Sequence, residues 1–446
     1  MGRRKALLVI IIFGLMVLFV SPLTTSTPVP DDSPAAVPEE PADPAAASPS
    51  PSPLPPAQPA ELKVAAVTDE PGLALLQRQG EQVAALHPEI RVDWRRVDPS
   101  EASAAALQQL MEDTDIVLLP NEEVKALAVS GSLLPVDSAF VGESLSEQFG
   151  ALLSQVKWNV YLWGVPRDLD PYVLVWNRNV AAAVRGSNGA AAPSSLSQWL
   201  EWPQKLAEQG VNASWLALDP QDPYALIAWV GAATGRRQDE WFEPSEGGAA
   251  AAWTGQPYEQ ALTLLSQQRA GVAAVKPDTA DFWSAFAAGR YGAAVVRNSA
   301  ATQGLAALPS SAAASLRIDR SLWETPFVWP NGDSFALSAW TPNQEAAVTW
   351  IGEMTGRRLQ TENEEATGRL PVYRSLYDGE DGDRPALASA ESERFPNQPP
   401  LSVAPDLPEK LSKLGAMLGE WLGGTPSFAE WKERWAASLA ESQADD

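Results

Sequence analysis

Residues 62–121, LKVAAVTDEPGLALLQRQGEQVAALHPEIRVDWRRVDPSEASAAALQQLMEDTDIVLLPN, carry the alternation that decides the fold class. Leu62–Val67 is a continuous apolar run of strand length. Past the breaker Pro71-Gly72, the spacing of Leu75, Leu76, Val83 and Leu86 puts all four on one face of a helix. Arg91–Val97 alternates as a second strand, Ala102–Met111 reads as helix, and Ile116–Leu119 is a short apolar strand ending at Pro120-Asn121. Another helix runs from about Glu122 to Gly131. Strand followed by helix, three times over, implies an α/β fold with a parallel sheet and crossover helices. Ligands of such sheets bind beyond the carboxyl ends of the strands, which makes Asp69, Glu70, Asn121 and Glu122 mouth positions.

The pattern resumes after Gly164. Tyr172–Asn177 reads as a strand, Ser197–Gly210 as a helix opened by a Ser cap, and Tyr224–Thr234 as another helix. Helices around Glu259–Arg269 and Phe282–Ala288 precede a short strand, Ala293–Arg297. Trp340 ends a strand, Pro342 opens a helix reaching Gly356, and two more helices cover about Glu409–Leu422 and Phe428–Ala440. There is no tandem repeat. At 446 residues the chain is too long for one core and long enough for two lobes.

Upstream of the head the composition changes twice. Arg3, Arg4 and Lys5 precede the apolar run Ala6–Val20, the pattern of a secretory signal or an uncleaved anchor, and the basic flank puts the rest of the chain outside the cell. Residues 1–26 are read as that segment. Thr27–Glu61 is rich in Pro, Ala and Ser and is expected to be an extended stalk, a Pro-rich partner ligand being the alternative.

Composition excludes several functions. A net charge of −24 without any Lys/Arg cluster argues against nucleic acid as a partner. With no Cys and a single His, His87, there is no thiolate or His-rich metal site and no Cys–His nucleophile, and no G-x-S-x-G elbow is present. No cofactor, no metal and no catalysis are expected. The 18 Trp fit a folded body, and most are expected in the core.

Against this background, Thr341–Tyr377, TPNQEAAVTWIGEMTGRRLQTENEEATGRLPVYRSLY, resembles the helix, Thr-Gly turn and Leu-Pro-Val-x-x-Ser segment of the extracellular solute-binding proteins of the maltose-binding type, family 1. DIVLLPNEEVKALAVSGSLLPVD, LWGVPRDLDPYVLVWNRNV and FAAGRYGAAVVRNS are similar to other segments of that family, in the same order. The resemblance covers about Leu62 to Glu441. It implies a type II periplasmic-binding-protein-like fold, two hinge-linked lobes each with a central sheet flanked by helices. It places 62–168 with 298–340 in one lobe and 169–297 with 341–446 in the other. Hinges are then expected near Asp168–Asp170, Arg297–Asn298 and Trp340–Pro342.

The same resemblance implies an ABC importer component that passes a sugar to permease subunits; a monomer is expected at the outer face of the membrane, tethered if the N-terminal segment is uncleaved and secreted if it is removed. A sugar site needs paired polar groups and aromatic faces. Asp170, Asp168, Tyr172 and Asn298 are candidates on the crossings; Asp170 also suits a turn before Pro171, and Asp168 a loop cap. Asp222 and Tyr224 stand in QDPYALIAWVGAATG, similar to the family's carboxylate-Pro-Tyr segment, with Asp222 equally suited to cap a helix. Asn121 and Glu122 follow the third strand, Asn121 being an equally good cap. Trp329, before PNGDSFAL, is a candidate stacking platform, whereas Trp215 reads as packing. Two departures stand out: Ser299-Ala300 replace the Trp common after such a strand, and the lipid-attachment Cys is missing. Competing readings are a receptor feeding a membrane sensor, a site for a cationic, peptide or metal solute, and a two-carboxylate glycosidase.

Overall fold

The computed structural model describes residues 59–137, 147–185, 191–242, 257–377 and 400–444 except Ser402, with backbone alone over 441–444. The expected N-terminal segment and all but 59–61 of the stalk lie outside these residues. Among the described residues no helix is long and apolar enough to cross a membrane.

The strands are β1 Ala60–Val67, β2 Ile90–Val97, β3 Ile116–Pro120, β4 Leu133–Leu134, β5 Lys157–Trp158, β6 Tyr161–Leu162, β7 Val165–Pro166, β8 Tyr172–Asn177, β9 Leu216–Leu218, β10 Val272–Ala274, β11 Ala293–Arg297, β12 Leu316–Asp319 and β13 Asp333–Ser338. Two sheets arise from them. The first has the order β2-β1-β3-β13-β4, with β7 also on β13; the second has the order β10-β9-β11-β8-β12. β5 and β6 form a separate hairpin.

In the first sheet β2, β1 and β3 are parallel, as crossover helices require, in the register Val64↔Trp94 and Val64↔Ile116. β13 returns from far along the chain and pairs antiparallel to β3, Phe335 opposite Leu118. Helix Glu70–Leu86 starts on Asp69, whose carboxylate accepts from Gly72 N at 2.8 Å, so this mouth position is spent as a cap. Its Leu75, Leu76 and Val83 are buried, but Leu86, at the last helical residue, is 62% exposed. The second sheet is mixed: β10, β9 and β11 run parallel, while β8 lies antiparallel to β11 and β12. Ser195 stands before helix Leu196–Glu208, yet its hydroxyl pairs with Ser197 Oγ and caps no backbone N–H.

Each sheet has its own core. Leu62, Val64, Leu118, Phe335, Trp350 and Met354 belong to one; Val173, Leu216, Trp229, Val295, Leu316 and Trp421 belong to the other. The path of the chain between them differs from the division expected at 297/298 and 340/341. After β11 the chain stays with the second sheet, because helix Asn298–Ala307 leads on to β12, which hydrogen-bonds to β8. After β13 it stays with the first, because Ala347, Trp350 and Ile351 of helix Gln344–Met354 pack into the first core. Sequence period identifies a strand but not the edge it joins.

Among the described residues, the segments 167–171, 325–332 and 360–369 therefore pass from one core to the other. They are tied together by backbone bonds. Leu169 and Leu370 exchange N–H···O bonds of 2.9 and 2.8 Å, Asp170 N donates to Pro330 O at 2.8 Å, and Arg167 N donates to Asp333 O at 2.9 Å.

Candidate ligand cleft

The crossings and the carboxyl ends of β3 and β11 deliver the polar side chains. Several of the expected ligand residues turn out to be engaged with the protein itself. Asn121, fully buried, donates from Nδ2 to Asn331 O at 2.6 Å and accepts from the Ser334 hydroxyl, so it fastens the end of β3 to the turn that leads into β13. Asp168 is 2% exposed and accepts from Asp333 N at 3.2 Å, Asn363 Nδ2 at 3.0 Å and Arg369 Nη1 at 3.1 Å. Burial pushes its carboxyl up, against the pull of Arg369. Arg369 also pairs with Asp333. Asp170, 1% exposed, takes Ser299 N at 2.9 Å and Ser299 Oγ at 2.5 Å, and so holds the first turn of helix Asn298–Ala307. Asn298 donates to Gly368 O at 2.8 Å and accepts from Arg320 at 3.3 Å. These four side chains lock the crossings. Gly332 is part of the lock: its φ is +87°, and an added Cβ would stand 2.1 Å from Asp168 O.

Ser299, in the place where a stacking ring was expected from the resemblance, thus serves Asp170. Trp329 is 1% exposed and lies against Tyr224, ring centroids 5.4 Å apart, and against Phe242 at 6.0 Å. It is a wall behind Tyr224 rather than a platform open to solvent. Tyr172 and Tyr224 face each other at 6.4 Å. Trp215 is packing, 1% exposed, with its N–H on Gln268 O at 3.1 Å.

Asp222 caps helix Pro223–Thr234, accepting from Tyr224 N at 3.1 Å, and also takes the Tyr172 hydroxyl. Arg297, the last residue of β11, brings Nε to 3.8 Å from Asp222 and leaves 41% of its side chain exposed. Tyr224 is 4% exposed, and its hydroxyl has no partner among the described residues. Burial raises both tyrosines well above the ordinary phenol value, keeping them neutral donors.

Across from these groups, on the single 3₁₀ turn Asn121–Glu123 that follows β3, stands Glu122. Among the described residues its carboxylate bonds only to its own backbone N–H. Burial pushes it up to about 6; Arg297 pulls it down, and Asp333 and Asp222 push it up. Glu123 is pushed up to about 7 by burial and then by Glu122, and its Oε2 is buried with no partner among the described residues. Lys125 is pushed down to about 8 by burial, its Nζ on Val403 O at 2.6 Å. The first lobe thus contributes an uncommitted acceptor, Glu122. The second contributes a donor fork, Arg297, and a hydroxyl, Tyr224. The sequence reading placed Arg297 at a hinge but did not name it as a ligand contact; the signal was an Arg ending an otherwise apolar strand, where its guanidinium must emerge at the mouth.

A family profile for bacterial extracellular solute-binding proteins matches residues 81–390. The chain belongs to that family. No curated protein matches it. Among solved structures it is similar to the GacH receptor of Streptomyces glaucescens, solved unliganded and with acarbose, at 16% identity and a TM-score of 0.66, over 86% of this chain and 97% of that one. The maltotriose binding protein of Thermus thermophilus is 18% identical, TM-score 0.62, over 85% and 99%. The galacto-N-biose/lacto-N-biose I-binding protein of the Bifidobacterium longum ABC transporter is 13% identical, TM-score 0.66, over 87% and 98%. At these identities the likeness establishes the shared two-lobed α/β fold.

Proposed function

We propose that the protein captures a carbohydrate in the cleft between its lobes, outside the cell, and hands it to the permease of an ABC importer. The observation that carries this reading is the convergence of Glu122 from one sheet with Arg297, Tyr224 and Asp222 from the other. Such an arrangement offers hydroxyl groups both acceptors and donors, beside the rings of Tyr172, Tyr224 and Trp329. A solute touching both sets favours the closed state by the contacts it makes only there, and the crossings at 167–171, 325–332 and 360–369 would be the hinge. Sugar-binding proteins of the same fold support the choice of solute.

A cationic solute held by Asp168, Asp170 and Asp222 fits less well, since all three carboxylates already have protein partners. No catalysis is assigned to the site. The protein would act as a monomer held at the outer face of the membrane by its N-terminal segment. A thermal-shift screen tests the reading: neutral oligosaccharides at a hundredfold excess over Kd should stabilise the protein by about 2.7 kcal/mol. Stabilisation by polyamines with no response to any sugar would overturn it.

A further inference from the structure

We propose that the second lobe holds an accessory binding site, separate from the interlobe cleft, for a compact neutral aromatic molecule of about two fused rings. A cavity of about 280 Å³ lies between the second sheet, helix Pro223–Thr234 and the 3₁₀ turn Ser321–Glu324. Its floor is apolar: Leu174 of β8, Val295 of β11, Trp199, Trp229 and Leu322 are each at most 5% exposed. Leu174 and Val295 are register partners, as are Tyr172 and Arg297 two residues along, so both pairs share one face of the sheet. The cleft takes the Tyr172–Arg297 end, where Asp222 caps the start of the helix. The cavity reaches the other end, where Ala232 and the C-cap Gly235 line it, and it opens between exposed Ser194, Gly235 and Glu324. Glu122, Tyr172, Asp222, Tyr224, Arg297 and Trp329 take no part in its wall.

The walls select the ligand. An apolar cavity of about 150 Å³ takes one benzene ring, so 280 Å³ accommodates two fused rings and is too small for a sugar trimer. Trp199 and Trp229 already meet edge to face with centroids 5.7 Å apart, and a ligand ring adds a third member to that cluster. Water against such a floor meets mostly carbon, whereas a held water needs two to four polar partners, so a ring that displaces it gains affinity. Two polar groups on the wall are uncommitted. The Trp199 N–H and the Thr325 hydroxyl, on side chains 2% and 5% exposed, make no hydrogen bond among the described residues. A phenolic hydroxyl, which donates and accepts, suits either of them. Among the described lining residues Glu324 alone is charged, and it stands at the rim. A carboxylate carried into the floor would therefore be buried without a cation.

Calorimetry on the full chain at pH 7 with 2-naphthol, and with 2-naphthoate as its charged counterpart, tests the site. The wild type should bind one 2-naphthol, about tenfold more tightly than 2-naphthoate. Ala232→Phe puts a ring into the cavity from the helix and should weaken 2-naphthol by about tenfold or more, because the same space cannot be filled twice. A cooperative unfolding transition shows that the variant is folded. If it is not, Ala232→Leu fills less of the space and should give a smaller loss in the same direction. Absence of 2-naphthol binding up to its solubility limit overturns the proposal. So does binding that the folded Ala232 variant leaves unchanged, since the molecule then sits elsewhere, and so does a wild type that prefers 2-naphthoate.

Discussion

Eleven tryptophans are buried in the core of the second lobe, whereas among the described residues Trp350 is the sole one in the core of the first. The first core is filled by aliphatic side chains of β1, β3 and β13 (Leu62, Val64, Ile116, Leu118, Leu337). In the second, Trp199, Trp215 and Trp229 meet edge to face, with ring centroids 5.7 to 6.0 Å apart. Many small side chains divide the first core finely, so the loss of one methylene leaves a small void. A few large plates divide the second coarsely, and each plate is in contact with several neighbours. The difference teaches that one fold can be held by two packing grains with different sensitivities to mutation.

The largest effect should come from removing a plate. Trp229→Ala should lose about 3–5 kcal/mol, because its neighbours Trp199 and Trp215 cannot both collapse into the gap. In the first core Ile116→Val should lose only about 0.5–1.5 kcal/mol. Urea unfolding of the two variants measures both. Equal losses would erase the contrast between the lobes.

Charge provides the second test. The first lobe carries Glu123 at the mouth, buried enough to be raised from the usual carboxylate range to about 7. A carboxyl raised by folding favours the folded state while protonated, and that contribution fades as pH rises from about 4.5 through 7. Glu123→Gln should therefore stabilise the protein by about 2 kcal/mol at pH 8, after discounting for partial exposure, and by nothing measurable at pH 4. Unfolding curves at the two pH values decide this, and a gain that persists unchanged at pH 4 would assign it to packing instead.

Much of the first lobe was legible in the sequence. The runs at 62–67, 91–97 and 116–119 are strands in one parallel arrangement, because both the apolar runs and the helical spacing between them were unambiguous. The stalk expected up to Glu61 ends sooner, since Ala60 and Glu61 already pair with β2. What the sequence could not convey was which sheet a later strand joins. β12, Leu-Arg-Ile-Asp, alternates with charged residues and was not read as a strand, whereas β13 was, and the two complete different sheets. The site was half legible for a related reason. Carboxylates and amides at crossings could be recognised as important, but Asp168, Asp170 and Asn298 satisfy partners 70 to 201 residues away, which no local pattern reveals. Arg297 was read as a hinge position and not as a ligand contact, because it closes a strand whose other residues are apolar.

The indole N–H groups give a finer test within the second lobe. Trp323 donates to Tyr172 O at 2.9 Å, whereas the N–H of Trp229 is buried with no partner among the described residues. Replacing either ring by Phe removes similar volume. Only Trp323→Phe also leaves a buried carbonyl without its donor, next to the cleft. It should cost about 1 kcal/mol more than Trp229→Phe, which discards an unsatisfied group. Equal costs would mean that the Trp229 N–H has found a water.

The smallest effect concerns Leu86, where the helical spacing argued for burial. A face defined by residues i, i+3, i+4 and i+7 stays over the sheet only as long as there is sheet beneath it. Helix Glu70–Leu86 ends at His87, and Leu86 is 62% exposed while Val83, one turn earlier, is 1% exposed. Its apolar surface therefore has little to lose to water on unfolding. Leu86→Gln should change stability by less than about 0.5 kcal/mol, whereas Val83→Ala, on the same face, should cost well above that. If Leu86→Gln instead destabilised the protein as much as Val83→Ala, the first core would have to extend past the end of the helix, and its fine-grained packing would reach further than the buried side chains indicate.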